Sequence, residues 1–171
     1  MLLEQAVKKF ADDRKQGKTP RTSLFFLGRE NFPRHYSPID SSYTLGKAQV
    51  VFDTSKNFEQ SAVVFAAGPL LKQALMAAKA LEEQGVGLIV INPSIINRPD
   101  IKTIATELQK VNGYLLTVED HQLVGGMGSV LAHELALAGV KFKIKSLGVK
   151  GEFGQSSYTA DELYQKHELD A

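Results

Sequence analysis

The sequence predicts an α/β protein, a three-layer α/β/α domain around a mostly parallel sheet of about five strands with one antiparallel strand. Short apolar runs alternate with longer segments whose apolar residues recur at helical spacing, which is typical of a parallel sheet covered by helices on both faces. Two consecutive runs, within residues 48–66, are joined by a short polar connection, which indicates the antiparallel member. The last run, residues 140–147, alternates with lysines, as edge strands often do.

The first 45 residues do not fit inside this domain. Residues 2–15 place an apolar stripe opposite charged residues and predict an amphipathic helix. Ser23–Leu27 contains Leu-Phe-Phe-Leu and predicts a short buried strand. A helix and one strand leave most of their apolar surface uncovered, so we expect residues 1–28 to be the tail of a domain that begins before residue 1. Residues 29–45 are polar, aromatic and proline-bearing, and predict a linker.

Residues 46–171 are predicted to form the α/β domain and to fold independently. Its helices have sequence signals at their starts: Pro69 suits a first turn, Asp100 can cap the next helix, and Thr159 with Glu162 predicts a capping box. The predicted strands are 48–52, 62–66, 88–91, 115–118 and 140–147, and the predicted helices are 70–83, 101–110, 130–137 and 160–167.

The most informative stretch is Leu115–Ser129, which predicts a buried strand, a polar turn and a helix. The strand is predicted to end at Val118, before three polar residues that would lie where open α/β sheets bind ligands and partners. The glycines that follow allow a tight turn, but their spacing is not the Gly-x-Gly-x-x-Gly nucleotide fingerprint. The polar residues and the glycines of the turn are Glu119, Asp120, His121, Gly125, Gly126 and Gly128.

This turn allows three interpretations. The helix N-terminus after Gly128 could bind an anion, and Asp120 beside His121 could form an acid–base pair. However, neighbours on a strand point to opposite faces, and glycines are also needed simply to pack a helix on a strand. We therefore favour an interface or structural role for Glu119, Asp120, His121, Gly125 and Gly126 over catalysis.

Composition excludes several classes of protein. The chain has 20 basic and 19 acidic residues, so its net charge of +1 gives no support to nucleic-acid or membrane binding. It has no cysteine and four widely spaced histidines, which argues against disulfides and a zinc site. No apolar segment reaches the length of a membrane span and no signal-peptide pattern begins the chain, so we expect a cytoplasmic protein.

Four segments together resemble transketolases. Thr117–His121 with Gly125–Gly128 resembles the family's Thr-Val-Glu-Asp-His and Gly-Gly-Ile-Gly segment. Leu27–Pro33 is similar to the Leu-Ser-Arg-Gln-Asn-Leu-Pro segment that closes the family's pyrimidine-binding domain. Tyr43–Ala48 resembles the link into the C-terminal domain, and Phe153–Ser156, with residues 161–163 and 169–171, resembles the family's tail. The similarity extends over essentially the whole chain, in register.

The resemblance implies the C-terminal part of an enzyme that transfers two-carbon ketol units between sugar phosphates. The family uses thiamine diphosphate and a divalent metal ion, Mg or Ca, at active sites between the two subunits of a homodimer. The chain lacks the family's diphosphate-binding domain and any Gly-Asp-Gly motif. We therefore expect it to bind no cofactor alone, to be inactive alone, and to need the remaining domains or subunit as partners.

The resemblance also implies one substrate-binding residue, Arg29. The arginine at this position in the family binds the substrate phosphate, and a planar guanidinium can make two charge-assisted bonds to phosphate. Gly28 and Glu30 depart from the serine and glutamine of many members. No catalytic histidine or metal ligand is carried over to this chain.

Two alternatives stay open at this point. The same domain closes deoxyxylulose-phosphate synthases and the beta subunits of 2-oxoacid dehydrogenases, although the Phe-Gly-Gln-Ser tail favours transketolase. The chain could instead be a free-standing ligand-binding or interaction module that uses the polar turn as a regulatory pocket.

Overall fold

One five-stranded sheet organises the part of the chain that the computed structural model describes, which is residues 2–26 and 44–171. Its strands are β1 (Gln49–Asp53), β2 (Ser61–Ala66), β3 (Gly87–Asn92), β4 (Tyr114–Gln122) and β5 (Lys143–Val149). Their order in the sheet is β1-β3-β2-β4-β5. β1 is antiparallel to β3, and all other neighbours are parallel. The predicted α/β fold with one antiparallel strand is confirmed.

The antiparallel strand β1 pairs with β3, although β2 follows it in sequence. The connection from β1 to β2 crosses the start of β3, where Thr54 N donates to Leu88 O at 3.0 Å and Thr54 Oγ1 accepts from Leu88 N at 3.2 Å. Gly87 permits this crossing, because a Cβ there would lie 2.9 Å from the Ser55 Cα. β3 therefore lies between the two strands that the sequence presents as neighbours.

Five α-helices accompany the sheet in the described ranges, and those that pack on it cover both faces. They are α1 (Leu2–Lys15), α2 (Leu70–Glu83), α3 (Ile101–Lys110), α4 (Met127–Leu137) and α5 (Ala160–Lys166). α2 packs on one face, and α3 and α4 pack on the other. Because β2 and β3 are buried on both sides, they read as continuous apolar runs. One core contains Val64, Val90, Leu70, Leu71 and Leu75, and the other contains Phe65, Ile89, Ile104, Leu108, Leu131 and Leu135.

The helix starts follow the predicted capping signals. The Asp100 carboxylate accepts a hydrogen bond from Thr103 N at 3.2 Å, and Thr159 Oγ1 accepts one from Glu162 N at 3.4 Å. The Glu162 carboxylate in turn accepts one from Tyr158 N at 3.3 Å, one residue before the N-cap. Each of the two capping bonds satisfies an orphan donor at a helix end. No helix within the described ranges is long and apolar enough to cross a bilayer.

The first segment agrees with the prediction only in part. α1 is present, and Val7 and Phe10 of its apolar stripe are 61% and 45% exposed. The strand predicted at Ser23–Leu27 is wrong over residues 23–26, which pair with no other strand of the described chain and expose Leu24 and Phe26. A strand needs a neighbour for its backbone groups, and this run reaches none there. Leu27, Gly28, Arg29 and most of the predicted linker lie outside the described residues.

Candidate functional site

The polar residues after Val118 belong to β4 itself. The strand was predicted to end at Val118, but it continues to Gln122, which pairs with Val149 of β5 after an irregularity in the register. The prediction of the strand end is wrong because backbone pairing with β5 resumes beyond the apolar run. α4 also begins at Met127, earlier than the predicted start at Val130, so Gly128 lies in its first turn.

Glu119 is the centre of this region. The residue is only 1% exposed, and the two oxygens of its carboxylate, Oε1 and Oε2, lie 3.2 and 3.3 Å from Gly128 N. Its Oε2 atom is 2.8 Å from Nε2 of His121. The carboxylate therefore lies at the positive end of the α4 dipole and accepts charge-assisted hydrogen bonds. It ties the start of α4 to β4, next to the edge strand β5.

The half-exposed imidazole of His121 contacts the buried Glu119 carboxylate from the solvent side. Its Nε2 atom lies 3.2 Å from Met127 N as well as 2.8 Å from the Glu119 carboxylate. One ring nitrogen cannot donate and accept in the same tautomer. We assign the proton to Nε2, because the shorter of its two contacts is to the Glu119 carboxylate, which can only accept. Nδ1 of the half-exposed ring then remains available at the surface.

Burial and hydrogen bonding shift the pKa of Glu119 in opposite directions. Burial raises the pKa of its carboxyl group above the ordinary value, and this effect is the largest one. The N–H of Gly128, the electrostatic attraction of the His121 ring and the N–H of Met127 oppose the rise in pKa, because each favours the ionised form. The site is therefore a buried acid whose ionised form depends on donors from its own fold.

Three glycines make room for the Glu119 side chain. A Cβ at Gly128 would lie 2.8 Å from Oε1 of Glu119 and 2.5 Å from Thr117 Oγ1, and one at Gly148 of β5 would lie 3.0 Å from Glu119 Cγ. A Cβ at Gly126 would overlap the Glu119 carboxylate and the carbonyl oxygen of Gln122. These glycines are needed for close packing, and the helix N-terminus considered as an anion site faces a carboxylate of its own chain.

Asp120 and His121 are close neighbours, but their contact is loose. Asp120 Oδ1 lies 3.6 Å from His121 Nδ1, and both side chains are 42% exposed. His121 is closer to Glu119, two residues earlier, because alternate residues of a strand share a face. Gly125 has a φ of +75° and forms the turn before α4. The alternation signal in the sequence could have revealed the Glu119–His121 pair.

The described residues do not fit a divalent metal ion. Residues 2–26 and 44–171 contain no group of three or more His, Cys, Asp or Glu side chains that could hold one. The Glu119 carboxylate is already occupied by backbone donors and an imidazole. What the contacts around Glu119 do is hold the first turn of α4 against β4.

Fold and site define a three-layer α/β domain with one antiparallel edge strand, whose polar carboxyl edge is built around a buried glutamate. Residues 53–171 match the family described as "Transketolase, C-terminal domain". The chain belongs to this family.

Curated relatives agree with the family. A putative transketolase C-terminal section from Methanocaldococcus jannaschii is 30% identical over 132 residues, which cover 77% of this chain and 38% of the relative. Human transketolase-like protein 2 is 31% identical over 149 residues, 81% of this chain and 22% of the relative. The 1-deoxy-D-xylulose-5-phosphate synthase of Syntrophotalea carbinolica is 30% identical over 130 residues, 76% of this chain and 19% of the relative.

A solved structure has the same fold. It is described as a split gene transketolase in an inactive beta4 tetramer, and it matches with a TM-score of 0.69 and 28% sequence identity. The match covers 84% of this chain and 44% of that one. The chain thus spans less than half the length of each of these proteins.

Proposed function

We propose that this chain is the C-terminal portion of a transketolase, the thiamine-diphosphate-dependent transferase that moves two-carbon ketol units between sugar phosphates. The observation that carries the proposal is the family match of residues 53–171, together with a relative described as a putative transketolase C-terminal section. In this proposal the chain serves the assembly of domains and subunits and is inactive alone. A buried carboxylate bound by its own fold supports a structural role for the β4–α4 region.

The proposal assigns the cofactors to other parts of the enzyme. Thiamine diphosphate and a Mg or Ca ion would be bound by the remaining domains or subunit, because residues 2–26 and 44–171 offer no cluster that fits a metal. The complete enzyme would be a cytoplasmic homodimer of the pentose phosphate pathway. The beta4 tetramer of the similar split-gene protein supports an oligomeric assembly.

The proposal also keeps three parts of the chain: residues 1–28 as the tail of a pyrimidine-binding domain, 29–45 as a linker, and 46–171 as the C-terminal domain. The exposed apolar side chains of the first part support it, since Leu3, Val7, Leu24 and Phe26 are each more than half exposed. Such residues would pack on the remainder of their domain in the complete enzyme.

Reconstitution tests the proposed function directly. The chain alone should transfer no ketol unit and show no heat of binding for thiamine diphosphate with magnesium. Combined with the thiamine-binding part of the enzyme, as a longer parent protein or a second chain, it should support transfer between sugar phosphates. Micromolar binding of thiamine diphosphate by the chain alone would contradict the proposal.

A synthase of 1-deoxy-D-xylulose 5-phosphate is the second candidate, because relatives of comparable identity have that name. The two candidates differ in the product that the same reconstituted enzyme forms. Ketol transfer between two sugar phosphates identifies a transketolase, and formation of deoxyxylulose phosphate identifies the synthase.

Arg29 is proposed to bind the substrate phosphate in the complete enzyme. A hydrogen bond to a charged group contributes roughly 1.5–3 kcal/mol. Arg29→Ala should therefore weaken the binding of phosphorylated substrates by about tenfold or more. The phosphate is remote from the reacting bond, and the loss should appear mainly in KM. The measurement is steady-state kinetics with a sugar phosphate and with a short unphosphorylated ketol donor.

Arg29→Lys is the matched control, because it keeps the charge and loses the planar fork. The rise in KM for the sugar phosphate should be smaller than that of Arg29→Ala. Both variants should leave the kinetics with the unphosphorylated donor unchanged. Equal losses on the two substrates would mean that Arg29 acts through structure, and the phosphate assignment would be withdrawn.

A further inference from the structure

The strand β5 forms one edge of the sheet, and its outer side pairs with no strand of the described chain. Lys143 N donates to Gly113 O at 2.9 Å, so the backbone groups of Lys143 point inward, toward β4. Successive residues of a strand direct these groups to opposite sides, and those of Ile144 and Ser146 therefore point outward. We refer to residues 141–146 as the outer edge of β5. Its outward N–H and C=O groups are the kind to which a further strand can bind.

Lysines give the outer edge a single sign of charge. Lys143 and Lys145 share one face of β5, and Lys141 lies two residues before the strand. All three side chains are exposed, and none forms an ion pair with a carboxylate of the described residues. The Lys143 amine lies 5.0 Å from the centre of the Tyr114 ring, a cation–π contact that leaves its charge uncompensated. The outer edge thus carries a row of positive charges without counter-charges in the described part of the chain.

Apolar side chains alternate with these lysines. Ile144 is 39% exposed on the opposite face of β5, and Phe142, just before the strand, is partly buried against the core under α3 and α4. A strand bound here would therefore meet charge on one face and hydrocarbon on the other. Opposite charges and β-branched side chains that face each other stabilise a strand pair. The best complement is an extended segment in which acidic residues alternate with apolar ones.

The row of lysines also disfavours two other kinds of partner. A second copy of the same edge would place lysines opposite lysines, and like charges in that position destabilise a strand pair. A nucleic acid would use the charges but neither Ile144 nor the outward backbone groups. The net charge of +1 also gives the chain no general attraction for a polyanion.

We propose that the outer edge of β5 binds an extended acidic segment of another protein as an added strand. The outward backbone groups of Ile144 and Ser146 bind the main chain of that segment, and its alternate carboxylates pair with Lys143 and Lys145. Its apolar side chains pack beside Ile144. This binding goes beyond the proposed function and holds whichever reaction the complete enzyme performs, because it concerns the free edge of the sheet.

Fluorescence anisotropy of a labelled probe peptide tests the proposal with the whole chain. The probe alternates glutamate with valine over about eight residues, within the usual length of a strand, and its ends are blocked. It should bind at low salt with a dissociation constant of about 1–100 µM. A peptide of the same composition, with all glutamates before all valines, keeps the charge and should bind at least about tenfold more weakly. No binding of the alternating probe up to about 1 mM overturns the proposal and leaves the lysines only the role of blocking the edge.

Charge reversal locates the site on β5. Lys143→Glu with Lys145→Glu should weaken binding of the alternating probe at least about tenfold, and the difference should shrink as salt rises from about 20 to about 200 mM. Lys47→Glu with Lys56→Glu is the matched control, because it makes the same change in net charge at exposed positions near β1, the opposite edge of the sheet. Equal losses in the two double variants would mean that binding follows net charge alone, which overturns the site.

Backbone pairing is tested at Ile144. Ile144→Pro removes the outward N–H and no bond to β4, so the fold should persist by circular dichroism while binding of the probe falls at least about tenfold. Ile144→Thr keeps the N–H and a β-branched side chain, and should lose less. In the wild type, saturating probe should slow hydrogen exchange at the Ile144 and Ser146 amides. Unchanged exchange at both amides, with the probe displaced equally well by heparin, would assign the contact to charge alone and overturn the added strand.

Discussion

Glu119→Ala is expected to lower the free energy of unfolding by about 2–5 kcal/mol, the range for truncating a large buried side chain to alanine. The substitution leaves Gly128 N–H and the His121 imidazole facing a void where the carboxylate was. It also opens a cavity between β4, β5 and the first turn of α4. Since domains are stable by only about 5–15 kcal/mol, this variant should be close to unfolding. Urea denaturation followed by circular dichroism measures the loss.

Two variants separate the Glu119 charge from its shape. Glu119→Gln keeps the size, an acceptor for Gly128 N–H and an amide that can donate to His121 Nε2 once the ring proton moves to Nδ1, so its loss should be clearly smaller. Asp120→Ala removes the neighbouring carboxylate, which is half-exposed, and should change stability by less than about 0.5 kcal/mol. If Glu119→Ala were as mild as Asp120→Ala, the carboxylate would not be holding α4 to the sheet.

The pH dependence of the same variants follows from the raised pKa of Glu119. A carboxyl group with a raised pKa in the folded state contributes stability that is fully present below its unfolded pKa. That contribution is lost as the pH rises through the folded pKa. Glu119→Gln has no such group. The wild type should therefore lose stability relative to Glu119→Gln as the pH rises from about 4, near the unfolded pKa of glutamate, toward neutrality.

The regular elements could be predicted because their signals are local. Asp100 and Thr159 cap their helices through bonds that span three residues of sequence. The buried strands could be predicted because a strand that is covered on both faces appears in the sequence as a continuous apolar run. The partner of β1 could not be read in the same way. Its pairing with β3 depends on a crossing at Gly87, which joins residues far apart in the chain.

The candidate site was harder to predict because its partners are distant in sequence. Three polar residues after an apolar run are typical of a strand end, but here backbone pairing with β5 resumes beyond the run and Glu119 finds donors elsewhere. One donor is Gly128, nine residues later, at the start of α4. Space for the side chain comes from Gly148 on the neighbouring strand. The same reasoning explains Ser23–Leu27: the run has strand propensity, but over residues 23–26 it has no neighbour to pair with in the described chain.

Gly126→Ala is expected to cost about 3 kcal/mol, the upper end of the range for overpacking. The backbone at Gly126 has φ −75° and ψ −177°, which any residue adopts, so the cost is steric. The added methyl would overlap the carbonyl oxygen of Gln122, which cannot rotate away, and the Glu119 carboxylate. For a domain of this size the melting temperature should fall by roughly 6–12 °C. Differential scanning calorimetry gives both quantities.

Two other glycines provide matched controls for Gly126→Ala. Gly125 has a positive φ, and nothing lies within 4 Å of the place that an added methyl would take, so Gly125→Ala should cost only the backbone strain of about 1–2 kcal/mol. Gly154 has open space and no positive φ, and Gly154→Ala should change stability by less than about 1 kcal/mol. Equal losses at Gly125 and Gly126 would point to the turn as a whole instead of the packing around Glu119.

A double variant separates the two overlaps that Gly126→Ala creates. Combining Gly126→Ala with Glu119→Ala should cost less than the two separate losses together, because removing the carboxylate relieves one of the overlaps and leaves the other. The measurement is the free energy of unfolding of the wild type, both single variants and the double variant under the same conditions. Strict additivity would show that Gly126 acts through the Gln122 carbonyl alone.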